Sequence, residues 1–124
     1  MNKEITRFPL TKKLCIMSNI DFETSSIFSF PAKVEYSSGG IVSKNVIKKD
    51  TGNISLFAFD KGESLSEHTA PFNALVQVVE GEATIIIEGK PYELNAGESI
   101  IMPANIPHAV EAKEKFKMIL TMIK

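Results

Sequence analysis

From Gly39 onward, apolar and β-branched residues come in short runs cut by turn clusters. Ile41 to Lys48 is one run, closed by Asp50-Thr51-Gly52-Asn53. Ile54 to Phe59 is the next, closed by Asp60-Lys61-Gly62. Phe72 to Glu80 follows and is ended by Gly81. Ala83 to Glu88 then leads into Gly89-Lys90, a two-residue hairpin signal with glycine first. Pro91 to Leu94, Ser99 to Met102, His108 to Ala112 and Phe116 to Ile123 complete the set.

The last run is the most regular. Phe116, Met118, Leu120 and Met122 share one face, and Lys117, Ile119, Thr121 and Ile123 share the other. Ile85 to Ile87 is apolar on nearly both faces, as in a strand covered on both sides. Short strands at this spacing predict an all-β sandwich or barrel, and no helical period supports an α/β architecture. Residues 1–38 have no clean period and read as an irregular N-terminal arm on a barrel of residues 39–124. Within the arm, residues 21–30 fit a short helix or a loop that packs Phe22, Ile27 and Phe28 onto the barrel, and Pro31 breaks what precedes it.

Composition narrows the function classes. A chain of 124 residues suits one domain. A net charge of −1, scattered lysines and no interleaved aromatics argue against nucleic acid and anionic membrane as partners. No stretch has the length of a membrane helix or a signal peptide, so the expectation is a cytoplasmic protein. Cys15 is the single cysteine, which rules out an intramolecular disulfide and a multi-thiolate zinc site; it reads as a small core hydrophobe.

The chain has two histidines, His68 and His108. Five residues separate Gly62 from His68, and His108 closes a stretch from Gly97 through Pro103 and Asn105. These two stretches resemble the two signature motifs of the cupin superfamily. The first motif reads G-x5-H-x-H-x3-E-x6-G, and Gly62, His68 and Gly81 fall on it; Ala70 and Ala74 replace its second histidine and its glutamate. The second reads G-x5-P-x-G-x2-H-x3-N, matched by Gly97, Pro103 and His108, with Asn105 for its second glycine and Ala112 for its asparagine. Gly62, Gly81 and Gly97 sit at turns where a left-handed backbone is commonly needed, and Asn tolerates that conformation best among the other residues. The resemblance implies a double-stranded β-helix, the jelly-roll barrel of RmlC-like cupins. It also implies a homodimer.

The resemblance places His68 and His108 in a common pocket. The stripe Phe116, Met118, Leu120 and Met122, with Met102, reads first as packed barrel interior and can also supply an apolar lining to that pocket. Metal-binding members use three histidines and one glutamate; this chain retains two of those four ligands. Protein metal centres usually draw three or four ligands from the chain. Gln77 is the nearest polar candidate, but alternation puts it on the face opposite Ala74, Val76 and Val78. Asp60, Glu63 and Glu67 cannot be placed from the pattern. Ser64, Ser66 and His68 alternate, which fits a polar strand edge better than a nucleophile with its base.

Two pocket readings follow, beside a third in which the barrel is purely structural or regulatory and its pocket vestigial. One is a small-molecule-binding barrel with an apolar pocket, two histidines and a depleted metal site. The other is a metal-dependent enzyme of dioxygenase or isomerase type, using iron, manganese, nickel or zinc on a reduced two-histidine site. The residues fix no cofactor, and they do not decide whether the barrel is catalytic.

Overall fold

Eight strands follow one another in the computed structural model, which describes residues 21–124. They are β1 (Ile41–Lys49), β2 (Gly52–Phe59), β3 (Ser64–His68), β4 (Ala74–Ile87), β5 (Lys90–Asn95), β6 (Ser99–Met102), β7 (His108–Glu111) and β8 (Phe116–Ile123). Every pairing is antiparallel. The predicted runs recur as strands, joined by β3, whose mostly polar residues form no apolar run, and two further differences have physical causes.

The first is β4. Gly81 bends this strand instead of ending it. Its φ is +78°, and a Cβ there would run into the carbonyl oxygen of Lys115. The ladder with β8 shifts register between Val78 and Glu80, so bulge and glycine together turn the strand. Before the bend β4 pairs with β6 and β8; after it, with β5 and β7. One sheet therefore runs β1-β2-β8-β4-β6 and the other β3-β7-β4-β5, with β4 common to both. Two sheets sharing a bent strand make the jelly-roll barrel that the motifs imply.

The second difference is the β4–β5 hairpin. Its turn is centred on Glu88-Gly89, because Ile87 pairs with Lys90. Both residues are left-handed, at φ +52° and +79°, as a type I′ turn requires. Glu is not a usual residue for that position, so the sequence points one residue too far along.

Side chains alternate across the first sheet and build two cores. Val76, Val78, Phe59, Phe116 and Met118 point into the barrel, joined by Ile85 and Val110 from the second sheet. On the outer face, Leu56, Ala58 and Ile119 pack against Val34, Phe22, Phe30 and Tyr36 of the arm. The arm thus covers part of one sheet from outside. Pro31 lies within a short 3-10 helix, Phe30–Lys33, rather than marking its end. The expected packing of Ile27 is not found: its side chain is 103% exposed, while Phe28 contacts Phe22 and Phe30 edge-on. Cys15 lies outside the described residues. No helix among the described residues is long and apolar enough to cross a membrane.

Candidate functional site

The site is assembled from one edge strand and one loop. Among the described residues, β3 forms the edge of the second sheet and pairs only with β7. The loop from Pro103 to Pro107 delivers the chain into β7, and three hydrogen bonds hold it, two to the loop between β3 and β4 and one to the β4–β5 turn. Asn105 N–H donates to the Ala70 carbonyl at 2.7 Å, Ala104 N–H donates to Asn73 Oδ1 at 2.8 Å, and Glu88 N–H donates to the Pro107 carbonyl at 2.8 Å. Asn105 adopts φ +63°, the conformation the motif's glycine position demands. The Asn105–Ala70 bond joins the two motifs directly.

That bracing sets one pairing. His68 and His108 are cross-strand partners in the β3–β7 ladder, so their side chains leave the same face. Their ring centroids are 4.4 Å apart at 71°, an edge-to-face contact. His68 is exposed, and His108 is buried at 4% exposure.

Both rings are anchored in the same way. His68 Nδ1 lies 2.8 Å from the Ser66 carbonyl, and His108 Nδ1 lies 3.2 Å from that of Ile106. A carbonyl oxygen only accepts, so each Nδ1 carries the proton. In the neutral ring Nε2 then holds the lone pair, and neither Nε2 has a hydrogen-bond partner among the described residues. Burial lowers the His108 pKa below its ordinary 6.5; the Ile106 carbonyl opposes the shift and the His68 ring adds to it. Near neutral pH, His108 is an imidazole with one free acceptor nitrogen.

The other predicted pocket residues sit at graded depths. Met102, Phe116 and Met118 are fully packed in the inner core, where Phe116 stacks on Phe59 at 4.7 Å. Leu120 and Met122 are half-buried against that core. A cleft of 420 Å³ opens beside Tyr92, Leu94, Glu98 and Ile100 instead, and clefts of 330 and 370 Å³ lie near Ile123, away from the histidines.

The donor set does not fit a standard metal centre. Ala70 and Ala74 occupy the two missing ligand positions, and Ala74 is buried between Met102 and Met122 on the neighbouring strands. Gln77 pairs with Ser99 and Ile119 on the outer side of the sheet, as alternation predicts. The Asp60 carboxylate accepts the Gly39 N–H at 2.7 Å, which lowers its pKa and commits it to a turn. No cluster of three or more His, Cys, Asp or Glu side chains able to hold a metal ion is found among the described residues. Nor is there a serine–histidine relay, since His68 Nδ1 is bonded to the Ser66 backbone rather than to a carboxylate.

Two supporting groups escaped the sequence reading. Asn73 holds the 103–107 loop through its side-chain oxygen, and its only signal was an Asn placed in a turn. Glu80 and Lys117 lie side by side on the outer face, where Tyr36 of the arm meets both.

Comparison with known proteins agrees with this geometry. The family model described as the cupin domain matches residues 55–124. A conserved protein of unknown function from Streptococcus pyogenes superposes with a TM-score of 0.80 at 29% identity, covering 90% of this chain and 97% of that one. A cupin 2 conserved barrel domain protein from Leptotrichia buccalis is 48% identical with a TM-score of 0.73; the match covers 76% of this chain and 46% of that one. A salicylate 1,2-dioxygenase from Pseudaminobacter salicylatoxidans shares the fold alone, at 15% identity and a TM-score of 0.63 over 68% of this chain and 26% of that one. Among curated proteins no relative matches. The fold is one that serves both small-molecule-binding and metal-dependent cupins. With the domain match over more than half of its length and the two-sheet jelly-roll barrel, this chain belongs to the cupin family.

Proposed function

We propose that this protein is a small-molecule-binding cupin whose polar recognition element is the His68–His108 pair, working without a tightly held catalytic metal. One observation carries the reading. Two imidazoles face each other across β3 and β7, each with Nδ1 tied to its own backbone, and Ala70 and Ala74 stand where further ligands belong. With each Nδ1–H held by a backbone carbonyl, the two Nε2 atoms are the ring positions left to meet a ligand that carries adjacent hydroxyl or amide donors. The half-buried Leu120 and Met122 supply adaptable apolar surface on the barrel's inner face.

Elemental analysis of the purified protein, alongside thermal-shift screening of small hydroxylated compounds, tests the proposal. The expected result is metal well below one equivalent, with ligand-induced stabilisation that His108→Ala removes. Stoichiometric iron, manganese, nickel or zinc, lost in His68→Ala or His108→Ala, would overturn it in favour of the metal-dependent reading.

A further inference from the structure

The register of the first sheet places one row of residues across all five strands of its outer face. Ile47 pairs with Ile54, Ile54 with Thr121, Thr121 with Leu75, and Leu75 with Ile101. Four of these five are apolar, and the row is about 19 Å long at the usual strand spacing. Ile123 stands beside it, facing Gly52, which has no side chain to fill the space. Ile47, Ile101 and Ile123 are 50%, 60% and 72% exposed. The neighbouring rows on the same face, around Leu56, Ala58 and Ile119, are already covered by the arm. This row is where the covering stops.

We propose that the row is a docking surface for the chain's own segment of residues 8–20. Three observations select this occupant. The arm enters the described structure at the right place: Asp21 is paired with Lys44 at 3.1 Å, and Lys44 lies on the same face just before Ile47, at one end of the row. The segment carries Phe8, Leu10, Leu14, Ile16, Met17 and Ile20. About six extended residues cross 19 Å, so thirteen suffice. The row is also one residue deep. That suits a single segment, whereas a stable dimer buries about 800 Å² per partner. Edge pairing with another chain is disfavoured as well, because β1 carries a bulge between Asn45 and Ile47 followed by Lys48 and Lys49. The row lies on the opposite side of the sheet from the barrel interior, so the docked segment leaves the His68–His108 pair untouched.

Cys15 lies inside the segment and is the only thiol, so it reports docking in the full-length protein. Its reaction rate with a thiol reagent is measured under native conditions and in denaturant. The expected result is native protection of about tenfold or more, independent of protein concentration. Ile47→Asp and Ile101→Asp should each raise the native rate several-fold, whereas Ile27→Asp, on the exposed part of the arm, should not. Ile101→Ser replaces Ile101→Asp if the charged variant fails to fold. Reaction of the wild type at the free-thiol rate would overturn the proposal. So would protection indifferent to the row variants, or protection lost on dilution as a dimer dissociates, which would assign the face to a second copy.

Discussion

At the scale of single residues, the chemistry turns on where two imidazole protons sit. Each Nδ1–H is spent on a carbonyl two residues earlier in the chain, which holds the ring plane and leaves Nε2 for the ligand. Burial makes protonation of His108 costly, and this links the site to stability. The folded pKa lies below 6.5, whereas the unfolded chain titrates near the ordinary value. Between those two values the unfolded state binds more protons, so stability falls as pH drops below about 6.5 and levels off beneath the folded pKa. The slope from this one group is at most about 1.4 kcal/mol per pH unit. Urea midpoints measured from pH 7.5 down to pH 5 should fall for the wild type and fall less for His108→Gln. Equal slopes would show that His108 titrates as a free imidazole. The sequence carried the identity of these two residues and the turns that aim them: Gly62, Gly97 and Asn105 all take the positive φ their motif positions demand. It did not carry the depth of Met102, Phe116 and Met118, because period-two alternation tells inside from outside but does not tell lining from packing.

At the scale of elements, β4 and the arm decide the architecture. Gly81 makes β4 one strand in two sheets. In sequence a glycine that ends a strand and one that bends it look alike, and only the approach of Lys115 separates them. Gly81→Ala should cost about 2 kcal/mol or more, combining a left-handed alanine with a backbone clash. Gly62→Ala, with a similar φ but open space around it, should cost about 1 kcal/mol. Denaturant unfolding of both variants checks the order, and the reverse order would mean that β4 can bend elsewhere. The arm is held by a polar cluster on the outer face. The buried Lys117 amine donates to the Pro31 carbonyl at 2.6 Å, sits 3.5 Å from the Glu80 carboxylate and lies over the Tyr36 ring. The Tyr36 hydroxyl donates to the same carboxylate at 2.5 Å, and burial together with that carboxylate raises the tyrosine pKa. Lys117→Met leaves Glu80 and the Pro31 carbonyl without their cation and should cost about 1–3 kcal/mol. Adding Glu80→Leu should recover part of that loss, since a pair removed together leaves less unpaired charge. If the double variant is as weak as the two single effects summed, the three groups do not act as a unit. Alternation put Lys117 on the correct face, but nothing in the sequence said that an arm would bury it there.

At the scale of the whole molecule, the order of strands in space differs from their order in the chain, and this governs how the barrel forms. β8 is the last strand, yet it lies between β2 and β4 at the centre of the first sheet. It supplies Phe116 and Met118 to the inner core and Ile119 to the outer one, so both cores depend on it. Until β8 pairs, β2 and β4 have no ladder between them, and β1-β2 forms a hairpin with an uncovered apolar face. Such a hairpin is marginal in water by itself. Closing the sheet means bringing Gly52 beside Ile123 and Ala74 beside Met122, contacts of long sequence separation whose loop entropy is lost before they reward it. Refolding should therefore be slow for a domain of this size, on the scale of milliseconds to seconds. Substitutions in β8 should also lower stability across the entire barrel rather than loosen one edge. Leu120→Ala and Met118→Ala test this by amide hydrogen exchange. Protection should fall together in β2, β4 and β7, by about 2–4 kcal/mol for the buried Met118. Exchange that rises only along β8 and its immediate neighbours would show instead that the second sheet holds together without it, and that the two sheets unfold as separate units.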